Sequence, residues 1–259
     1  MPNEPDRTLD ALSACLQACG ERASRQGFSF GEPQHAAAVS LLGSILELAA
    51  DVLDLLKRGK AIAPKILLRS LLEAFVELVN VTEDPDYLGS MRYAQLVALQ
   101  KLVNVATGPD QAQNPFFADL LSNEATAERR AEIALELAEL ESQGIRELNI
   151  WARFKLAGER DRYEAIYRLL SQQAHHSLNA LGDRHVVEQE GQPALVFFKK
   201  EERQQVLAEA DQVAGVATNA VALVSSLVDG VETNMQPVSD LLEAFRALMR
   251  EELQGASLG

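Results

Sequence analysis

The sequence predicts an all-α fold: one helical bundle domain over residues 1–259, with a small β-hairpin insert near residues 185–198. Three observations predict it. Apolar residues make up 47% of the 259-residue chain and aromatics only 5%, so the core must come from Leu, Ala and Val, a set that suits helices better than a sandwich or barrel. Apolar positions recur at helical spacing along most of the length. Gly and Pro fall at the ends of these periodic segments, where they start and stop helices.

Thr8 to about Arg25 carries Leu9, Leu12, Leu16 and Cys19 on one side, and Gly27 ends it. Pro33 opens a second helix with a core face through Val39, Leu42, Ile45, Leu46, Ala49, Leu53 and Leu56, closed by Gly59. Pro64 fits the first turn of a third helix, running to about Val81. Asp84 and Pro85 start a fourth, which reaches Thr107 and Gly108. After a loop rich in Gln, Asn and Pro, Pro115 to Leu121 reads as a short helical segment. A Glu-rich helix from Thr126 to Gly144, a helical stretch over residues 147–157 and a helix from Glu159 to Leu181, closed by Gly182, complete the core region. Residues 185–198 alternate around Gly191 in the manner of a hairpin. Helices from Glu201 to Val228 and from about Pro237 to Leu253 then pack on the core.

The 24 basic and 38 acidic residues leave a net charge of −14. Such a surface repels polyanions at long range, which argues against a general DNA binder or an anionic-membrane binder. The N-terminus lacks the basic start and apolar run of a secretory signal, and Val213 to Val228 falls short of a bilayer span. The expected setting is therefore cytoplasmic and soluble. Cys15 and Cys19 read as reduced helical thiols, since two thiols without further ligands cannot complete a zinc site. No phosphate loop, nucleophile elbow, metalloprotease motif or di-iron motif occurs, so neither a cofactor nor a metal is expected.

Two helices carry polar groups on a consistent side. Arg69, Glu73, Glu77 and Asn80 form one stripe of the third helix. Three readings stay open for it: a solvated stripe, a buried ion pair that fixes packing, or a polar site between helices. On the helix after Glu159, Tyr167, Arg168, Ser171 and His175 are expected on one face, with His176 beside them. Arg168 and His175 stand seven residues apart, two turns, so both can reach one ligand group. A guanidinium offers a forked donor for phosphate or carboxylate, and an imidazole can act as acid or base near neutral pH.

Two electropositive islands stand out. Lys57, Arg58, Lys60, Lys65 and Arg69 occur with no acidic residue among them, around the helix start at Pro64. From Arg146 to Arg168 six basic residues face four acidic ones, with Trp151, Phe154, Tyr163 and Tyr167 between them. The expectation is that the islands converge on one anion-binding surface, with Arg168 and His175 meeting Arg69 and Glu73 in a single polar centre.

The motifs Leu68-Arg69-Ser70-Leu71-Leu72-Glu73 and Tyr163-x3-Tyr167-Arg168-x2-Ser171-x3-His175-x-Ser177, with Trp151 and Leu156-Ala157 before the second, resemble the domain of unknown function 5677 family. The resemblance covers roughly residues 35–182 and implies a helical fold. The Arg168-to-His175 spacing also resembles that of the HEPN superfamily, which includes metal-independent ribonucleases. That likeness implies His175 as acid or base while a ribose 2′-hydroxyl attacks the adjacent phosphate. It implies Arg168 as the group stabilising charge on the phosphoryl oxygens, with RNA as partner and a homodimer around the site. The alternatives are a non-enzymatic interaction module, in which Arg69, Glu73, Arg168 and His175 form a structural network, and a small-anion sensor using the same groups without turnover.

Overall fold

The computed structural model describes residues 6–27, 31–108, 114–117, 124–175, 177–229 and 234–256. The fold is all-α, with one two-stranded hairpin among the described residues. The helices are α1 (Arg7–Ser24), α2 (Pro33–Lys57), α3 (Ala63–Glu83), α4 (Tyr87–Ala106), α5 (Glu124–Ser142) and α6 (Ile150–Leu156). Next comes α7, a composite of Arg160–Arg162, a π-helical turn Tyr163–Tyr167 and Arg168–Ala174. It is followed by α8 (Leu178–His185), β1 (Val186–Gln189), β2 (Gln192–Leu195), α9 (Arg203–Asp229) and α10 (Gln236–Ala256). The chain forms two compact units, residues 1–83 with 154–259, and residues 84–153.

In the first unit, α2, α3 and α9 pack together and α1 joins α2, α9 and α10. Ile45, Ala49, Val52, Leu68, Leu71, Leu72, Val213, Val216 and Ala220 are at most 1% exposed and make up much of this core. Ala and Val dominate the buried stripe of α9, so neighbouring helices approach closely, and interior density follows from interdigitated small side chains. By length and composition α2 and α9 each suffice to cross a membrane, with mean hydropathies of 1.8 and 1.3. Here their apolar stripes pack against each other and against α3.

The end of α2 sets the direction of α3. Gly59 adopts φ +65°, Lys60 N donates to Leu55 O at 3.0 Å, and Gly59 N donates to Leu56 O at 2.9 Å. This paired pattern caps the helix through a left-handed residue, which only Gly adopts without a Cβ penalty. It turns the chain straight towards the next helix. The termini are pinned as well. Asp6 caps α1 by accepting from Leu9 N at 3.0 Å and receives the Arg203 guanidinium at 2.6 and 2.9 Å. Arg203 also grips Glu252, which accepts from Thr8 Oγ1 at 2.9 Å. One guanidinium thus ties α1, α9 and α10, and its hydrogen bonds hold the Glu252 carboxyl below the usual carboxylate range.

In the second unit, Tyr93, Leu96 and Val103 of α4 pack on Ile133 and Leu137 of α5. Arg92 chelates Glu136 at 2.5 and 2.7 Å, and Tyr93 donates to Glu141 at 2.8 Å.

Three local expectations change. Cys15, rather than Leu16, lies on the buried stripe of α1 with Leu9, Leu12 and Cys19. Only Pro115–Phe117 of the 115–121 segment forms a helical turn among the described residues, and 118–121 lie outside them. Residues 159–181 are not one helix. α7 ends at Ala174, and Ser177 starts α8 by accepting from Ala180 N at 3.2 Å, with Gly182 inside α8. A Ser side chain that satisfies an orphan N–H favours a new helix start over continuation. The hairpin forms as expected but is shorter, with Val186 opposite Leu195 and Gln189 opposite Gln192. Its two-residue turn, Glu190-Gly191, has φ values of 51° and 75°, the all-positive turn that matches strand twist.

Candidate functional site

The stripe of α3 meets α7 at Tyr167. The Tyr167 hydroxyl donates to Glu73 Oε1 at 2.6 Å and accepts from Arg69 Nε and Nη2 at 3.3 and 3.2 Å. Arg69 Nη2 lies 2.9 Å from Glu73 Oε1, closing a three-membered cluster. The Tyr167 ring is 4% exposed. It stacks on Tyr163 (centroids 5.3 Å, planes 20° apart) and tilts against Phe154 at 4.8 Å, while the Arg69 guanidinium carbon sits 5.5 Å from its centroid. Burial, then donation to the Glu73 carboxylate, pushes the hydroxyl up to about 12, so it stays protonated at neutral pH. Every polar group of this cluster has a partner within it. Its arrangement suits a strut between α3 and α7. Farther along α3, Glu77 is half-buried and Asn80 is buried at 2% exposure.

The other expected members point elsewhere. Arg168 is exposed and pairs with Glu164 one turn back at 2.7 Å. His175 is exposed at the C-terminal cap of α7, and Ser171 is half-buried. His176 lies outside the described residues. Along α7 the inward stripe is Tyr167, Leu170 and half-buried Ser171 and Ala174, whereas Arg168, Leu169, Gln172 and His175 turn outward. The four groups expected on one face therefore straddle two. Among the described residues no hydrogen bond or ion pair joins Arg168 or His175 to Arg69, Glu73 or Tyr167. The single polar centre expected from sequence reduces to Arg69, Glu73 and Tyr167.

The first electropositive island finds a different partner. The loop after Gly59 and the first turn of α3 form one wall of a cleft of about 780 Å³. The opposite wall is the end of α8 and the segment from Phe197 to Glu202, which leads into α9. Six cationic side chains line it, Arg58, Lys60, Lys65, Arg184, Lys199 and Lys200, against three acidic ones, Asp183, Glu201 and Glu202. Four of the six are engaged. Arg58 pairs with Asp54 at 2.9 Å and Lys65 with Glu201 at 2.5 Å. Arg184 donates to Gln173 Oε1 at 2.9 Å, and Lys199 to Asp183 O at 3.3 Å. Lys60 and Lys200 are exposed, without an ion pair among the described residues. Phe197 and Phe198 stand at the rim, 68% and 99% exposed, and His185 shares the lining with its Nδ1 3.2 Å from Val196 O. Arg160, Arg162 and Arg168 of the second island do not line this cleft, so convergence of the two islands gives way to pairing of the first with residues 184–200.

Residues 35–193 match the model of a family of unknown function, DUF5677. The chain belongs to that family. No curated protein and no solved structure matches it. The DUF5677 stretch contains the whole Arg69–Glu73–Tyr167 cluster and one wall of the cleft, whereas Phe197, Phe198, Lys199 and Lys200 lie just beyond it. Sequence reasoning missed this second wall because 194–198 read as strand. The signal was present as Phe-Phe-Lys-Lys, two rings and two cations in a row. Among the described residues no group of three or more His, Cys, Asp or Glu is placed to hold a metal.

Proposed function

We propose that this DUF5677 chain is a non-enzymatic small-anion sensor whose ligand, of the phosphate or sulfate class, sits in the cleft at the start of α3. The observation that supports this most is the concentration of six cationic side chains in one cleft of a chain carrying −14 overall. A cleft with a surplus of one sign, here six cations against three carboxylates, raises the local concentration of counter-ions. The N-terminal turn of α3 adds its dipole to the same end. A cleft of about 780 Å³ falls within the range that encloses small molecules. The exposed rings of Phe197 and Phe198 suit an apolar or planar group attached to the anion. In this reading the Arg69–Glu73–Tyr167 cluster holds α7 to α3 and takes no part in binding.

Isothermal titration with inorganic pyrophosphate tests it. The wild-type chain binds, and Lys60→Glu with Lys200→Glu weakens binding at least tenfold. Absence of binding by the wild type, or equal binding by the double variant, removes the reading. Incubation with RNA separates the rival. Cleavage that is lost in His175→Ala would replace the sensor with the metal-independent ribonuclease implied by the HEPN likeness, using Arg168 and His175.

A further inference from the structure

Behind the cleft lies a carboxylate that the binding reading does not use. Glu209 of α9 is 2% exposed. Its Oε1 accepts from Gln205 Nε2 at 3.1 Å and lies 4.0 Å from Lys65 Nζ. Its Oε2 is buried and meets no hydrogen-bond donor among the described residues. Lys65 is shared, for its ammonium also holds Glu201 at 2.5 Å. One cation therefore serves two carboxylates, and that cation, Glu201 and Gln205 all line the cleft. The charged groups that act on Glu209 are Lys65 of α3 and Glu201 ahead of α9. Burial pushes its carboxyl up to about 7, against the Gln205 hydrogen bond and the Lys65 charge, while Glu201 adds to the rise.

We propose that anion binding in the cleft is coupled to proton uptake by Glu209, through the ammonium of Lys65 that the ligand and the two carboxylates share. This rests on the anion-binding reading above. A dianion at the start of α3 competes for Lys65 and brings negative charge towards Glu209. Both effects disfavour the carboxylate form. One proton leaves solvent or buffer and bonds to the carboxylate, Oε2 being the oxygen without a donor. No other bond breaks, and the buried group becomes neutral as the ligand arrives. The domain then binds its anion more tightly as pH falls, and loses affinity as pH rises above 7.

The test is titration of the full chain with sodium sulfate, in buffers of different ionisation enthalpy, at pH 6, 7 and 8. Sulfate keeps its charge throughout this range, so any proton taken up belongs to the protein. His185 lines the same cleft and its imidazole is a second proton acceptor there, so the series is run in the His185→Gln background. Uptake of about half a proton at pH 7, rising towards one at pH 8 and falling near zero at pH 6, is expected for a group poised at about 7. Affinity should fall with rising pH, by up to about tenfold per unit above pH 7. Glu209→Gln should bind sulfate without proton uptake. Binding with no uptake at pH 8 in the His185→Gln chain overturns the coupling while leaving the anion reading intact. Persistence of full uptake in Glu209→Gln overturns it too. If Glu209→Gln does not fold, the pH series with Glu209 in place decides alone. No sulfate binding at any pH sinks the anion reading, and the coupling with it.

Discussion

Helix α3 treats its polar side chains in opposite ways at its middle and at its N-terminal end. At mid-helix, Arg69 and Glu73 close on Tyr167, and each of the three polar side chains finds a partner in the other two. At the N-terminal end, Lys65 divides one ammonium between Glu201 and Glu209, a carboxylate oxygen of Glu209 meets no donor among the described residues, and exposed Lys60 and Lys200 stand nearby. The contrast separates a structural cluster from a binding one. A polar cluster that satisfies itself is complete without a ligand and contributes to stability. A cluster with surplus charge and an unmet oxygen is completed by something else, because buried polar groups are costly until paired.

Removing the strut should cost the most stability. Tyr167→Ala empties a ring that stacks on Tyr163 and Phe154 and removes the hydroxyl between Arg69 and Glu73. Denaturant melts should show a loss of about 3–5 kcal/mol, as for large aromatic truncations in a core. A loss below about 1 kcal/mol would show that the strut carries no load.

At the other end the effect has the opposite sign. The Glu209 carboxyl sits at about 7 in the folded chain against 4.5 for an unperturbed glutamate, so the folded state holds the proton more tightly. Its contribution to stability is fully present below about pH 4.5 and is lost as pH rises through about 7. Glu209→Gln should therefore be more stable than wild type at pH 8, by on the order of 3 kcal/mol at most. Melts from pH 5 to 8 should show the gap closing on acidification, and a gap independent of pH would contradict the assignment. The smallest effect belongs to Arg168→Ala. Its guanidinium is exposed and pairs with Glu164 across one helical turn, so neither the melting temperature nor pyrophosphate binding should change measurably.

Much of the fold is legible in the sequence because helix ends carry local chemistry. Pro33 at the start of α2 and Gly59 after its end mark a boundary that needs no tertiary knowledge. The same local rules fail in the 159–181 stretch. Apolar periodicity cannot register a π-helical turn, and it runs smoothly across Ser177, whose side chain starts a new helix. The candidate site was half legible. Arg69 and Glu73 stand one turn apart on a helix, and Tyr167 follows from the family-like motif. Arg168 cannot share the inward face with Tyr167, because adjacent helical residues are about 100° apart. Glu209 passes for an ordinary helical glutamate until its register is considered, since it lies three after Val206 and four before Val213, both buried. The cleft needed the fold itself, as its walls lie more than a hundred residues apart in the chain, Lys60 on one and Lys200 on the other.

The division of labour along α3 is tested most directly by paired thermal melts with and without sulfate. The chains to compare are wild type, Tyr167→Phe and the Lys60→Glu, Lys200→Glu double variant, all at pH 7. A ligand that binds only the folded state raises the melting temperature by mass action. The account predicts that Tyr167→Phe melts lower but keeps the full sulfate-induced rise, whereas the double variant keeps its baseline and loses the rise. A sulfate-induced rise that vanishes in Tyr167→Phe, or persists in the charge-reversed chain, would contradict it.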